Sequence, residues 1–320
     1  MKCASFFAGV GGIDIGFSNA GFQTVYANEF DKFAVKTLRE NFDFIIDDRD
    51  IRHVSENDVP DFDIMLAGFP CQAFSVAGYR QGFDDEKGRG NLYFELERIF
   101  IAKKPSVIFL ENVKNLVSHD KGNTFRVILN SLKENGYHVS YAVLNAAEYG
   151  NIPQNRERIY VVCFLDEEAH HRFTFPNRVL LDKQVKDMLQ DEDSIDDRFY
   201  YTDKTPFFDQ LVDEIRDAET LYQWRRKYVR ANKSNLCPTL TANMGTGGHN
   251  VPLLNVQGKS DTIRKLTPRE CFNFQGFPED YKLPENISNS HLYKQAGNSV
   301  VVPVIERIAL QIKDALCYED

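Results

Sequence analysis

The sequence contains few cysteines and no long apolar run. Its six cysteines are scattered along 320 residues and form no CxxC pair, which argues against a structural zinc site and against a disulfide framework. Free thiols are typical of proteins in a reducing compartment, so we expect a cytoplasmic protein. No apolar stretch approaches the length of a bilayer span, so a membrane is not an expected partner. Because the cysteines are scattered, a metal ion is not an expected partner either.

Positive charge is also in short supply. The chain carries a net charge of −9, which disfavours a protein coated with basic groups. Between Leu221 and Lys265, however, eight basic residues stand against the single acid Asp261, so this stretch is locally basic. Residues 177–220 are acidic and weakly patterned, and the length fits one large domain or two smaller ones. We therefore expect a domain boundary after Pro176.

The first half of the chain alternates apolar strands with helical patterns. An apolar strand over residues 3–8 leads into a glycine-rich turn, a helix from Ile13 and a second strand that ends at Glu29. This order is typical of a nucleotide-binding unit. The pattern alone fits NAD, a flavin or S-adenosylmethionine as the ligand. The carboxylate of Glu29 favours a ribose with both hydroxyls free. Further strand–helix repeats predict an α/β fold with a doubly wound, Rossmann-like parallel sheet.

A cysteine follows one of these strands. The apolar run Phe62–Leu66 predicts a buried strand, and Gly68 and Pro70 break it, so Cys71 falls in a loop at the carboxyl end of the strand. In open α/β sheets, ligands bind at that edge. A free cysteine is more commonly a small buried apolar residue. A nucleophilic role therefore requires an acid, a cofactor loop and a substrate surface elsewhere in the chain.

One acid and two arginines meet part of that requirement. Glu111 lies near the end of the predicted strand Ser106–Asn112, and Arg156 and Arg158 share one face of an extended segment, which suits a common ligand. A thiolate beside a carboxylate suits covalent catalysis on an electron-poor ring such as cytosine. Thiolate attack at carbon 6 makes carbon 5 nucleophilic enough to accept a methyl group from a sulfonium. Glu111 would stabilise the charge that develops, and the arginines would orient the ring and favour the thiolate.

The motifs occur in the order found in the bacterial cytosine-5 DNA methyltransferases, often partners of restriction enzymes, and the sequence resembles this family from Phe6 to about Ile308. The segments that carry the resemblance are Phe7–Gly12, Asn28–Phe30, Asp50–Ile51, Gly68–Gln72, Glu111–Val113, Gln154–Arg158, Arg264–Cys271 and Gln295–Val300. One departure is Phe30, where relatives often have tryptophan. Phenylalanine can still stack on adenine.

The resemblance implies S-adenosylmethionine as the methyl donor, with S-adenosylhomocysteine as its product, and a role for each motif. The implied catalytic residues are Cys71, Glu111, Arg156 and Arg158. The implied cofactor-binding residues are Phe7, Gly9, Gly11, Gly12, Glu29, Phe30, Asp50, Ile51, Gly68, Pro70, Leu92, Asn298 and Ser299. The implied substrate is double-stranded DNA, from which the target cytosine must flip out to reach Cys71.

The family's variable target-recognition domain precedes the Arg264 motif. The segment Thr239–Gly248 is similar to its Thr-Leu core, its glycines would let backbone approach the bases, and the Arg225–Arg230 cluster would meet phosphates or guanine edges. The residues expected to contact DNA are Ser75, Arg225, Arg226, Arg230, Thr239, Thr241, Gly245, Gly247 and Gly248. The expected domains are 1–176 for catalysis, 177–288 for target recognition, and a segment 289–320 that returns to the catalytic domain.

Two rival functions stay open at this point. A cytosine-5 methyltransferase that acts on tRNA can share this fold and these motifs, although a separate domain with a basic stretch favours duplex DNA. A non-enzymatic DNA-binding regulator with a relic methyltransferase domain is a different class, and the intact catalytic set argues against it. We expect a monomer that protects DNA from a restriction endonuclease reading the same site without direct contact. The bases of that site do not follow from the sequence.

Overall fold

The protein is described by a computed structural model that covers most of the chain. The described residues are 1–70, 92–225, 227–232, 234–244, 250–256 and 262–317. Six residues of the predicted sites lie outside these ranges, namely Cys71, Ser75, Arg226, Gly245, Gly247 and Gly248. The roles of these six residues stay predictions from the sequence.

Strands and helices alternate through the first part of the chain. The described strands are β1 (Lys2–Phe6), β2 (Gln23–Asn28), β3 (Ile45–Asp47), β4 (Ile64–Gly68), β5 (Val107–Val113), β6 (His138–Asn145), β7 (Gln154–Asn155), β8 (Glu157–Phe164), β9 (Tyr222–Trp224), β10 (Val229–Ala231), β11 (Cys237–Pro238), β12 (Pro252–Asn255) and β13 (Ile263–Lys265). The described α-helices are α1 (Gly12–Asn19), α2 (Lys32–Asn41), α3 (Leu92–Lys103), α4 (Asn123–Glu134), α5 (Ala146–Tyr149), α6 (Glu167–Arg172), α7 (Phe208–Glu214), α8 (Pro268–Asn273), α9 (Asn289–Asn298) and α10 (Val302–Leu316).

The chain divides into two compact units. The first unit combines residues 1–144, 157–177 and 304–320, and the second combines 145–156 and 178–303. This division differs from the expected domains in two segments, because residues 145–156 and 289–303 group with the second unit. Long-range hydrogen bonds from Gln154 and Arg156 to residues of the second unit account for the first difference. The functions of the two units stay proposals.

The first unit is built on a seven-stranded sheet with the order β3-β2-β1-β4-β5-β8-β6. Neighbouring strands from β3 to β5 run parallel, whereas β8 runs antiparallel to β5. The predicted α/β fold with a large parallel sheet is therefore confirmed, with β8 as an antiparallel member. Helices α1, α2 and α3 lie in the connections between parallel strands, as crossover units require.

The central strands β4 and β5 are buried on both faces. Ile64, Met65 and Leu66 of β4 are all 0% exposed, as are the consecutive residues 107–109 of β5. Their side chains alternate in direction along each strand, so burial of every position requires cover on both sides of the sheet. This burial explains why both strands read as continuous apolar runs rather than as an alternating pattern.

A buried carboxyl group connects the first three elements. Asp14 of α1 is 1% exposed and accepts hydrogen bonds from Ser5 Oγ at 3.1 Å and from Thr24 Oγ1 at 3.0 Å. Burial raises the pKa of Asp14 to about 6, against the hydrogen bonds that lower it. The carboxylate form is therefore costly in the native protein, because desolvation outweighs the two hydroxyl partners.

Replacing Asp14 with asparagine is expected to remove a pH dependence of stability. The native carboxyl binds its proton more tightly than the unfolded one, so the parent loses stability as the pH rises through the window from its ordinary pKa to about 6. The loss is at most roughly 3 kcal/mol. Urea denaturation at about pH 4 and about pH 7 measures the unfolding free energy of both proteins. Between the lower and the higher pH, the unfolding free energy of the parent should fall relative to that of Asp14→Asn.

The exposed Asp61 provides a control for this pH effect. Its side chain is 99% exposed, so Asp61→Asn removes a carboxylate without the burial penalty. This variant should keep the pH dependence of the parent. An Asp14→Asn variant whose stability followed that of the parent at both pH values would contradict the assignment.

The second unit contains a four-stranded antiparallel sheet with the order β10-β9-β12-β13. Tyr222 and Trp224 of β9 pack into a hydrophobic cluster with Val229, Leu253 and Leu211 of α7. The intervening residue Gln223 points to the other face because side chains alternate along a strand. Strands β7 and β11 form a separate parallel pair.

A buried arginine of the second unit lies between two carboxylates. Arg264 is 0% exposed and pairs with Glu270 at 2.9 Å and with Glu192 at 3.0 Å. Glu270 and Thr267 also form a capping box at the start of α8, which satisfies free N–H groups there. The positive charge of Arg264 is thus neutralised inside the unit and does not contribute to a basic surface, although the sequence counts it in the basic stretch.

No helix in the described part of the chain is long and apolar enough to cross a membrane. Within the same residues, no group of three or more histidine, cysteine, aspartate and glutamate side chains could hold a metal ion.

Candidate active site and recognition surface

The glycine loop and the segment that leads to Cys71 leave neighbouring strands. β1 pairs with β4 so that Phe6 lies opposite Ala67. The strand order reverses between them, because β2 lies on the other side of β1. Ligands of doubly wound sheets bind at such a switch point, outside the carboxyl ends of the strands. The topology therefore brings the predicted cofactor loop next to the strand that precedes the predicted nucleophile.

A carboxylate and a guanidinium form a pair beside that strand end. Gly68 of β4 lies opposite Glu111 of β5, and a Cβ atom placed on Gly68 would lie 3.5 Å from Glu111 Oε2. Arg158 Nε lies 3.1 Å from Glu111 Oε1, and the two side chains are only 13% and 10% exposed. An ion pair with so little solvent around it is screened weakly. Glu111 is thus held in one orientation against the backbone that leads into Pro70 and Cys71.

Asn112 anchors the same backbone from β5. Its Nδ2 donates to the carbonyl of Phe69 at 2.7 Å, and its Oδ1 accepts from the N–H of Val113 at 2.8 Å. Asn112 is 3% exposed and its bond to Phe69 is buried, where an unsatisfied group is costly. The chain is therefore fixed at Phe69, just before the predicted nucleophile loop. The sequence places Asn112 within the Glu111–Val113 motif but does not indicate this anchoring role.

The two arginines of the Gln154–Arg158 motif have different partners. Arg158 pairs with Glu111 within the first unit. Arg156 is 2% exposed and donates to three carbonyls of the second unit, those of Leu240, Gly297 and Ser299. Its observed bonds therefore organise backbone, and a direct catalytic role for Arg156 stays a prediction.

Ser299 and Asn298 belong to the segment that Arg156 holds. Ser299 is buried and Asn298 is exposed. Gly297 lies against the backbone of Thr241, where any Cβ atom would overlap the carbonyl group. The close approach explains why a glycine is needed at this point of the last motif.

The turn after β1 has an unusual backbone. Phe7, Gly9 and Gly11 all have positive φ, at 54°, 59° and 79°. A positive φ is strained for phenylalanine but not for glycine, and such strain clusters where loops hold ligands. A Cβ atom on Gly11 would overlap the ring of Phe42, so this glycine is also required for packing. Gly12 begins α1 and places the start of that helix at the turn.

Glu29 holds this loop through its carboxylate. Glu29 Oε2 accepts from the N–H of Gly9 at 2.8 Å, and Oε1 accepts from the N–H of Asp31 at 2.7 Å. Burial raises the pKa of the Glu29 carboxyl, while the two backbone donors lower it. The predicted ribose acceptor therefore already orders the glycine loop.

The groups around Glu29 fit a nucleoside. Phe30 is 63% exposed and offers an open aromatic ring directly after Glu29, as stacking on an adenine requires. Asp50 caps a short 3-10 turn and pairs with Arg52 at 2.5 Å, a partner that the sequence did not predict. Ile51 is buried and Leu92 is half-buried against the core.

A polar cavity of about 450 Å³ lies within the second unit. Its lining includes four residues predicted to contact DNA, namely Arg225, Arg230, Thr239 and Thr241. Thr239 Oγ1 donates to the carbonyl of Asn155 at 2.5 Å, and Thr241 Oγ1 donates to Asn243 Oδ1 at 2.7 Å.

Comparisons with known proteins agree with this arrangement. Residues 1–314 match the family described as C-5 cytosine-specific DNA methylase. The chain belongs to that family. It is 62% identical to Type II methyltransferase M.Bsp6I from Bacillus sp. over 98% of both chains, and 38% identical to M.HhaI from Haemophilus parahaemolyticus over 100% of this chain and 96% of the relative. A DNMT2 structure from Spodoptera frugiperda aligns with a TM-score of 0.75 at 18% identity, covering 98% of this chain and 99% of that one, which supports the fold.

The predicted activity is confirmed at the level of this family. The protein is a C-5 cytosine DNA methyltransferase of the restriction–modification type. The reading as a non-enzymatic regulator is not supported, because the near full-length relatives at high identity are methyltransferases.

Four other cysteines of the methyltransferase are poor candidates for a nucleophile. Cys3, Cys163, Cys237 and Cys271 are all buried with free thiols. Burial raises the pKa of each thiol, so the reactive thiolate is disfavoured. This is the environment of a small buried apolar residue, which is the commoner role of a free cysteine.

Proposed function

We propose that the enzyme transfers a methyl group from S-adenosylmethionine to carbon 5 of a cytosine in a short duplex DNA site, through a covalent intermediate at Cys71. The observation that carries the proposal is the Glu111–Arg158 pair, which lies against Gly68 at the end of the strand that leads to Cys71. A carboxyl group fixed at the end of this strand supplies the acid that addition of a nucleophile to a cytosine ring needs.

Each residue has a defined task in this proposal. The sulfur of Cys71 forms a bond to carbon 6, and Glu111 in its protonated form donates a hydrogen bond to ring nitrogen 3, where negative charge develops. Arg158 orients Glu111 and balances its charge. Carbon 5 would then take the methyl group as the bond between that methyl and the sulfonium sulfur breaks. Loss of the carbon 5 proton to water supplies the electrons of the carbon 5–carbon 6 double bond, and the thiolate of Cys71 leaves, which restores the aromatic ring. Asn112 acts as a positioning residue for the backbone before Cys71.

Arg156 is a positioning residue as well. It holds the carbonyls of Leu240 and Ser299, so it orders the segment that follows Thr239 and the last motif together. The DNA-contacting role proposed for Thr239 and Thr241 depends on that order.

The glycine loop and its neighbours would hold S-adenosylmethionine. Glu29 would accept from the ribose hydroxyls and Phe30 would stack on the adenine. Phe7, Gly9, Gly11 and Gly12 would form the loop around the molecule. Asp50, Ile51, Gly68, Pro70, Leu92, Asn298 and Ser299 complete the proposed set. When bound, the molecule supplies an electrophilic methyl group on a sulfonium.

Replacing Glu29 with alanine is expected to weaken S-adenosylhomocysteine binding by about 10- to 150-fold, because a charge-assisted hydrogen bond contributes roughly 1.5–3 kcal/mol. Calorimetry measures the change. Glu29 also orders the loop, so the 2′-deoxyribose analogue should be tested in parallel. If Glu29 binds the ribose, the parent should bind the analogue more weakly, whereas Glu29→Ala should bind both ligands alike.

Glu40 of α2 supplies the control for that titration. It is an exposed glutamate in the same unit, so Glu40→Ala removes the same charge away from the loop. Its affinity should match that of the parent. If the parent and Glu29→Ala lost affinity by the same factor when S-adenosylhomocysteine was replaced by the analogue, ribose binding by Glu29 would be contradicted. The role of Glu29 would then be to order the loop.

The DNA side of the proposal follows from the geometry of the reaction. Carbon 6 of a stacked cytosine is shielded in the duplex, so the target base must flip out to reach Cys71. The relatives are named Type II methyltransferases, and we infer that the enzyme protects cytoplasmic DNA from a restriction enzyme with the same site. It would act as a monomer and need no contact with that enzyme.

Methyl transfer from labelled S-adenosylmethionine tests the proposal directly. Duplex DNA should accept label, whereas tRNA and a reaction without substrate should not. Bisulfite sequencing of DNA from cells that express the protein would then identify the site. Label on tRNA alone would replace duplex DNA as the substrate, and label on neither would overturn the proposal.

A further inference from the structure

The β9–β10 hairpin separates apolar and polar side chains onto opposite faces. Tyr222, Trp224 and Val229 pack into the core of the second unit. Gln223 and Arg230 lie directly opposite each other in the antiparallel register, so they share the other face. Arg225 follows Gln223 by two residues and continues that face beyond the end of β9. Alternate residues of the hairpin thus pack into the core, and the residues between them form a separate polar face.

One arginine on this face is held by a side chain. Arg225 Nη1 donates to Asn250 Oδ1 at 3.1 Å. Asn250 Nδ2 lies 3.5 Å from Asn243 Oδ1, which also accepts from Thr241 Oγ1 at 2.7 Å. A chain of hydrogen bonds therefore runs from Thr241 to Arg225. A flexible guanidinium fixed in this way loses less entropy when it binds a planar partner.

The same residues line the polar cavity of the second unit. Gln223, Arg225, Arg230, Asn243 and Asn250 are all part of its wall. The lining combines amide and guanidinium groups, and none of the lining residues that the structure describes carries a carboxylate. Amide and guanidinium groups can hydrogen-bond the edge of a base, and the guanidinium groups also attract the phosphates on either side of it. The lining therefore suits nucleic acid.

We propose that the β9–β10 hairpin enters the major groove and that Arg225, oriented by Asn250, reads a guanine of the target site. The major groove admits a two-stranded β-ribbon. Guanine presents N7 and O6 there as paired acceptors, and a bidentate arginine is the commonest specific contact to them. A phosphate contact would not require a guanidinium oriented by a side-chain acceptor such as Asn250 Oδ1, since phosphates accept from any direction. The proposal rests on duplex DNA as the substrate.

The experiment begins with the site that bisulfite sequencing identifies for the parent enzyme. Each guanine in a cognate duplex is replaced in turn by 7-deazaguanine, which lacks the N7 acceptor, and affinity is measured with S-adenosylhomocysteine present. Arg225→Ala should weaken binding to the unmodified site about 5- to 150-fold, and binding to unrelated duplex much less. At one guanine, 7-deazaguanine should weaken binding by the parent and have no further effect on Arg225→Ala.

Asn250→Gly tests the orienting role. Asn250 has a φ of 94°, which glycine accepts without strain. This variant keeps every positive charge, so the salt dependence of binding should not change, while discrimination at the same guanine should fall. An alteration in salt dependence instead would show that Asn250 acts through general affinity and would overturn its assignment.

Lys227→Ala is the matched charge control, since it removes one exposed positive charge from the same hairpin. It should weaken binding to all duplexes alike and leave the response to 7-deazaguanine intact. The proposal is overturned if Arg225→Ala behaves like Lys227→Ala, with a uniform loss and a salt slope reduced by about one. Methylation of duplex DNA by the parent tests the proposed function separately, so the two can fail independently.

Discussion

Cys71→Ser is expected to abolish the denaturant-resistant adduct that the parent enzyme forms with duplex DNA carrying 5-fluorocytosine at the target position. The adduct accumulates because fluorine cannot leave carbon 5 as a cation, so the sulfur–carbon 6 bond persists after methylation. A serine hydroxyl is a far poorer nucleophile at neutral pH and should form no adduct. Denaturing electrophoresis in the presence of S-adenosylmethionine measures the trapped fraction.

Cys317 provides a control for the change from thiol to hydroxyl. It is the exposed cysteine among the described residues, so Cys317→Ser alters an accessible thiol outside the predicted loop. This variant should trap DNA as the parent does. Trapping by Cys71→Ser at the level of the parent would show that Cys71 is not the nucleophile, and the covalent mechanism would then be withdrawn.

Glu111→Gln is expected to lower kcat by roughly 100- to 10,000-fold, the usual contribution of a positioned general acid. The amide keeps the shape of the side chain and can still accept from Arg158, but it carries neither the charge nor the acidic proton. Because the change acts on the chemical step, DNA affinity should be preserved. Single-turnover methylation together with equilibrium binding separates the two quantities.

Glu157 is the matched control for Glu111. It lies in the adjacent strand β8, pairs with Lys114 at 2.9 Å, and its side chain is 43% exposed. Glu157→Gln makes the same chemical change on the same sheet and should retain the activity of the parent, because an exposed pair contributes little. A Glu111→Gln enzyme as fast as Glu157→Gln would remove Glu111 from the proposed mechanism.

Much of the fold can be predicted from local sequence patterns. Asp31 has the residue type typical of a helix cap and caps α2, where its Oδ1 accepts from the N–H of Phe33 at 2.9 Å. The predicted strand Phe62–Leu66 is found as β4, shifted by two residues. These features depend on side-chain alternation and on bonds between residues two or three apart, so a sequence window contains all of their causes. The antiparallel direction of β8 was missed, because an apolar run carries no sign of strand direction.

Partners distant in the chain were not predictable in the same way. Arg156 and Arg158 are two residues apart and look equivalent, yet one holds the carbonyls of Leu240 and Ser299 while the other pairs with Glu111. Glu29 was expected to accept hydrogen bonds from a ribose, and in the structure its carboxylate also accepts from the N–H of Gly9. A hydrogen bond between residues tens to hundreds of positions apart leaves no local pattern, so these roles required the assembled structure.

The sequence by itself determined the family, the α/β fold and the order of the motifs, because each depends on residues that are close together along the chain. It also located a basic stretch between Leu221 and Lys265. Only the tertiary structure distinguished the charges within that stretch. Arg264 is buried between two carboxylates, whereas Arg225 lies on a polar face and is oriented by Asn250. Charge is a property of a residue, but burial and orientation depend on which distant groups folding brings against it.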